Sequence, residues 1–111
     1  MVSLAPATPI VVALHPVDLR QSFNGLCARV QTVLHEEPTS GHWFVFTNQR
    51  RNRLKILFWD GSGLILCTKR LEQGTFGWPT GEGPSQGLRP QEWLGLLHGI
   101  DSPSRRRGRR V

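Results

Sequence analysis

No apolar run in this 111-residue chain approaches the roughly 18 consecutive residues that a membrane-spanning helix needs. Residues 1–9 hold two prolines and no basic side chain, the wrong composition for a signal peptide. Cysteine is scarce: Cys27 and Cys67 stand far apart in apolar surroundings, with no pair motif. Two isolated thiols suit a reducing compartment, where free cysteine behaves as a small apolar side chain. The expected location is therefore the cytoplasm, with no membrane partner.

Acid is scarce as well. Metal-dependent strand cleavage needs two or three carboxylates converging on divalent ions, and the chain has eight acidic residues in all. Several have ordinary explanations. Asp18 stands where a helix cap is expected, Asp60 in a turn, Glu92 in a first helical turn and Asp101 after a helix end. Glu36 and Glu37 are adjacent, so on a helix end they point apart and read as a solvated face. His15, His35, His42 and His98 lack metal-ligand spacing. Ser22 and Ser40 have no attendant base motif. These absences predict no catalytic centre and no metal site.

What the chain does have is basic charge, unevenly spread. The formal charge is +6, and Arg105, Arg106, Arg107, Arg109 and Arg110 supply five of it, leaving +1 on residues 1–104. Any basic surface on the body must therefore be local. With 12 glycines, 8 prolines and 38% hydrophobic residues, the composition describes one turn-rich domain. The expected boundaries are residues 1–101 for that domain and 102–111 for a flexible basic tail, too polar to pack.

Residues 10–14 form a β-branched run bounded by Pro9 and Pro16, a first strand. Asp18 with Gln21 offers a capping box, and Leu19, Phe23, Leu26, Val30 and Val33 follow at helical spacing, which predicts a helix over 19–35. Gly25 inside it implies either a close neighbour or a helix weakened by about 1 kcal/mol. Residues 42–47, 53–60 and 64–69 read as strands, and 75–79 as a short edge strand stopped by Pro79. Residues 80–87 read as a flexible loop. Pro90 marks the start of a second helix, with Leu88 and Trp93 spaced as a hydrophobic staple. Hairpin-type turns between the central strands predict an α+β fold. Its core is a small antiparallel sheet of three to four strands packed with the two helices.

The turn Asp60-Gly61-Ser62-Gly63 suits a three-residue loop with a bulge at Gly63. That loop sets Lys55 opposite Lys69 and Trp59 opposite Ile65, with both lysines on one face; a two-residue loop would separate them. The aromatics Trp43, Phe44, Phe46, Phe58, Phe76 and Trp93 read as core. Trp59 and Trp78 each adjoin a turn and are the candidates for surface stacking, against the alternative of buried structural tryptophan.

Three basic groups are candidates for nucleic-acid contact, since arginine pairs bidentately with phosphate. Arg50, Arg51 and Arg53 crowd one hairpin tip, Lys55, Lys69 and Arg70 lie on the next, and Arg105, Arg106, Arg107, Arg109 and Arg110 form the tail. Lys69 and Arg70 have an equal alternative in holding the fold through Glu72 or Asp60. The tail reads charge alone.

Several local patterns recur together. They are Asp18-Leu19-Arg20 with Phe23 and Gly25-Leu26, then Ser40-Gly41-His42 with Phe44-Val45-Phe46. Lys55-Ile56-Leu57, Trp59-Asp60-Gly61 and Gly63-Leu64 follow, then Lys69-Arg70-Leu71-Glu72 with Gly74, Phe76, Trp78 and Pro79. Leu94 to Leu97, Gly99-Ile100-Asp101 and the arginine-rich end complete the set. In this the chain resembles the TnpB-type accessory proteins of the insertion-sequence sixty-six family, which are distinct from the RNA-guided nucleases of the same name. Two positions depart from the family pattern: Cys67 replaces a large aromatic, and Arg89 replaces a Ser or Thr helix cap. The resemblance implies a non-catalytic role in transposition without a cofactor. Its expected partners are DNA, as element ends or nonspecific duplex, and the catalytic transposase with other proteins of the same element. An assembly factor that touches DNA little is the alternative.

Overall fold

The computed structural model describes residues 8–98, and everything structural below concerns those residues. The basic tail lies outside them. Five strands form one mixed sheet in the order β4-β3-β2-β1-β5. The strands are β1 Ile10–Ala13, β2 Trp43–Thr47, β3 Arg53–Trp59, β4 Leu64–Arg70 and β5 Ser85–Leu88. The helices are α1 Phe23–Thr32 and α2 Pro90–Leu97, and Pro38–Ser40 adds a turn of 3-10 helix.

The fold is α+β, as the sequence predicts, with two differences in the sheet. β2–β3 and β3–β4 are antiparallel hairpins, but β1 and β2 are parallel, Val11 beside Phe44 and Val12 beside Val45. The reason is connectivity: α1 lies between β1 and β2 and returns the chain to the end where β1 began. The fifth strand comes from the segment read as a loop. Ser85–Leu88 pairs antiparallel with β1, whereas residues 75–79 form no strand.

Both faces of the sheet are covered. On one, Leu26, Val30 and Leu34 from α1 and the residues following it pack on Val11, Ala13, Phe44, Phe46 and Leu57. On the other, Trp93 and Leu96 of α2, with Phe76 and Trp78, pack on Ile10, Val12, Val45, Leu54, Ile56 and Phe58. A strand buried on both faces needs no polar alternation, which is why β1 is wholly apolar and buried. Trp43 stacks on Phe58 at 4.9 Å and meets Trp93 edge-on at 6.2 Å.

The helix starts differ from expectation. α1 begins after Ser22, which makes no side-chain cap bond, and Asp18 instead turns back on Arg20. The expected stripe is shorter too, because Phe23 and Val33 are exposed while Leu26 and Val30 are buried. A Cβ at Gly25 would lie 2.8 Å from Gln21 Oε1, so the close neighbour is the preceding turn. α2 starts at Pro90 as expected. Its Glu92 carboxylate accepts the Arg89 backbone N–H at 2.8 Å, and Leu88 packs in the Trp93 cluster.

Candidate nucleic-acid interface

The β2–β3 turn is the most heavily bonded loop in the described chain. Asn48 Oδ1 accepts the backbone N–H of Asn52 and of Arg53, each at 3.2 Å. Its Nδ2 donates to Asn52 Oδ1 at 2.8 Å, and the Arg51 N–H donates to the Asn48 carbonyl at 3.0 Å. Arg51 sits in the left-handed region, φ 59°, a conformation that disfavours a residue with a Cβ. Neighbouring segments fasten it there. The Arg51 carbonyl accepts the Phe76 N–H at 2.7 Å, and the Asn52 carbonyl accepts the Leu71 N–H at 2.8 Å. The arginines of this turn are thus carried on a fixed backbone, with Arg50 and Arg53 exposed and Arg51 half-buried.

Sheet register then adds Arg70, which stands directly opposite Arg53 across β3 and β4. Like charges opposite each other weaken a sheet. Arg70 is partly offset by Glu72 at 3.3 Å, while among the described residues Arg53 has no carboxylate within ion-pair distance. Sequence reasoning missed one member of the group. The Val17 N–H donates to the Thr47 carbonyl at 2.9 Å, which lays residues 17–20 beside the turn. Arg20 therefore lines a shallow groove with Asp18, Leu19, Asn48 and Arg53. Its guanidinium holds the Asp18 carboxylate at 2.8 Å and pulls that carboxyl down to about 2. The clue in the sequence was the Asp18-Leu19-Arg20 pattern, whose place beside Arg53 only the fold reveals.

The structure separates some residues that the sequence groups together. The β3–β4 loop has two central residues: the Asp60 N–H donates to the Gly63 carbonyl at 3.1 Å, and the positive φ, 104°, is at Gly61. Asp60 Oδ1 accepts from the Ser62 and Gly63 N–H groups at 2.9 and 3.0 Å, and these bonds lower the Asp60 pKa. Lys55 consequently faces Thr68, and Lys69 faces Leu54. The two lysines lie on opposite faces, and the expectation of a shared face is corrected. Lys55 is on the Arg53 face, but its Nζ donates to the Gln21 carbonyl at 3.1 Å, tying β3 to the segment before α1.

Trp78 is no stacking platform. It is 6% exposed, and its indole N–H donates to the Ala13 carbonyl at 2.8 Å inside the core. Trp59 is half-buried at the far end of β3 from Arg53, about 20 Å away at the usual strand rise. It does not join the arginines.

Seven of the nine lysines and arginines in the described chain lie at the β2–β3 turn end: Arg20, Arg50, Arg51, Arg53, Lys55, Lys69 and Arg70. Only Asp18 and Glu72, of seven described acids, lie with them. Among the described residues, no three His, Cys, Asp or Glu side chains are grouped to hold a metal ion. No described helix is long and apolar enough to cross a membrane.

A family model described as IS66 Orf2 like protein matches residues 8–107. The chain belongs to this family. It is 44% identical over 92 residues to the uncharacterized protein y4jC of Sinorhizobium fredii, covering 83% of this chain and 79% of the relative. Against y4hO of the same organism it is 41% identical over 90 residues, covering 81% and 78%. No solved structure matches. This IS66 Orf2-like protein is thus associated with insertion-sequence elements, and the basic turn falls within the matched region.

Proposed function

We propose that this IS66 Orf2-like protein is a non-catalytic accessory factor of transposition that grips the phosphate backbone of duplex DNA with the Arg53–Arg70 face of the β2–β3 turn end of its sheet. It works in the cytoplasm beside the catalytic transposase of its element. The observation that carries this reading is the Arg53–Arg70 pair. Two guanidinium groups opposed across a sheet, of which only Arg70 has a carboxylate partner, weaken the pairing, and a polyanion bound beside Arg20, Arg50 and Arg51 relieves that. The fixed backbone of the turn supports this too, because it orders the arginines before binding and so reduces the entropy lost on association.

Replacing Arg50, Arg51 and Arg53 by Ala tests it. Binding to duplex should weaken, and the log–log dependence on salt should flatten by about 0.9 for each phosphate that the variant no longer neutralises. Lys69→Ala, on the opposite face, is the control and should leave the slope unchanged. A triple variant that binds like wild type, with a slope set by residues 102–111 alone, would refute the reading. It would favour the assembly-factor alternative, which has support in the nearly balanced described chain of nine cations and seven acids.

A further inference from the structure

The two edges of the sheet are built differently. β5 is four residues long, contains Gly87 and is flanked by Pro84 and Pro90, the devices that keep a sheet edge from pairing further. β4 is neither short nor flanked by proline, and its edge charges, Lys69 and Arg70, are confined to its last two positions. It runs seven residues in unbroken register with β3, without proline or bulge, and Leu64 to Thr68 carry no charge. Its shoulders are apolar on both faces: Leu64 and Leu66 are half-buried on the α1 side, and Ile65 on the other.

The pattern of hydrogen bonds fixes which groups β4 leaves unused. Asp60 with Gly63 and Asn52 with Leu71 are hydrogen-bonded pairs at either end of the hairpin. Alternate pairs between them follow suit, so Ile65, Cys67 and Lys69 direct their backbone groups to β3. Leu64, Leu66, Thr68 and Arg70 direct theirs outward, where no described strand receives them.

We infer that β4 is the site where a second copy of this chain docks, antiparallel, to continue the sheet across a two-fold axis at Cys67. The strand is self-complementary about that residue. Leu66 meets Thr68 of the second copy and Leu64 meets Arg70, each an outward-facing pair that closes two hydrogen bonds. All seven residues are paired. Lys69 falls opposite Ile65 and Arg70 opposite Leu64, so no cation faces another, whereas a two-fold axis at Lys69 would oppose the two ammonium groups. Exposed Cys67 meets its own copy in a non-hydrogen-bonded pair, with Cα atoms about 4.5 Å apart, inside the range that a disulfide spans.

Analytical ultracentrifugation of the full chain under reducing conditions, from micromolar to millimolar concentration, tests the inference. Wild type should pass from monomer to dimer. Cys67→Lys, which opposes two charges on the axis, should stay monomeric; so should Leu66→Pro, which deletes an outward N–H without touching the β3 ladder. Circular dichroism checks the fold of each variant, and Cys67→Lys decides alone where the proline variant does not fold. Copper phenanthroline, accepting the two electrons released when two thiols join, should cross-link Cys27→Ser but not Cys67→Ser. Burial, with Glu37 second, pushes the half-buried Cys27 thiol up, which keeps it a poor competitor. A chain monomeric at every concentration, including one whose β4 captures a strand of another protein instead, overturns the inference. So does a dimer that survives in both β4 variants.

Discussion

Replacing Trp78 by Phe separates a structural tryptophan from a stacking one. The indole is 6% exposed, packs edge-on against Phe76 at 6.5 Å between centroids, and donates to the Ala13 carbonyl at 2.8 Å. Phenylalanine keeps the edge packing but removes the donor, and the smaller ring leaves a void. Losing a buried hydrogen bond costs about 1 kcal/mol, and up to about 3 when the abandoned carbonyl finds no other partner. The void adds roughly 1–2 kcal/mol. Together these give a destabilisation of about 2–5 kcal/mol, and at about 4–8 °C per kcal/mol a fall in Tm of at least roughly 8 °C. Denaturant unfolding followed by far-ultraviolet circular dichroism reads the first figure, and calorimetry the second. Since typical stabilities are about 5–15 kcal/mol, the variant should remain folded at low temperature, and there its affinity for duplex DNA should equal wild type. A change in stability below about 0.5 kcal/mol, within the ordinary range for surface positions, would refute the packing assignment. Unchanged stability with weakened DNA binding would restore Trp78 as a stacking residue.

Two further outcomes follow from single interactions. The Asp18 carboxyl, held at about 2 by Arg20, should titrate near there by NMR and return towards 3.8 in Arg20→Ala. Its folded pKa lies below the unfolded value, so its contribution to stability is present above 3.8 and is lost as pH falls through about 2. An unshifted Asp18 in wild type would remove the ion pair from the site. Lys55→Met should cost about 1–2 kcal/mol by breaking the bond to the Gln21 carbonyl, with the salt slope of DNA binding intact. A slope lower by about 0.9 with unchanged stability would make Lys55 a phosphate ligand instead.

Much of this fold was legible in the chain because its signals are local. The runs read at 10–14, 42–47, 53–60 and 64–69 became strands with one end of each shifted by a single residue, and Pro90 opened α2. What escaped was set by tertiary context. Ser85-Gln86-Gly87-Leu88 has little β character of its own and becomes a strand because β1 offers it a partner. The α1 boundary moved four residues because the Asp18 carboxylate is taken by Arg20. The register of β3 against β4 turned on which glycine adopts positive φ, a choice composition does not reveal: Gly61 takes it, and every lysine assignment on that hairpin shifts by one face. In the candidate site, Arg50, Arg51 and Arg53 were visible as a cluster, whereas Arg70 read as part of a separate basic group on the next hairpin and joins Arg53 only through the register. Arg20 is thirty residues away from that cluster in sequence and arrives through one backbone bond between Val17 and Thr47.

The two proposals meet in β4, whose last residue, Arg70, belongs to the basic end while its outer edge is free to pair. An antiparallel two-fold axis stands perpendicular to the sheet, so both copies present their α1 faces on the same side. Arg53 and Arg70 share that face with Lys55, as their positions in the register require. The two basic ends would then lie on one surface, the Arg70 residues about 20 Å apart along the joined strands. A monomer offers duplex DNA one such patch and a dimer two, so doubling of the salt slope on dimerisation is the signature of both being right. Cys67→Lys keeps the patch and loses the second copy, whereas the arginine triple variant keeps the second copy and loses the patch. Their effects on affinity therefore arise from different causes, and the failure of one proposal leaves the other standing.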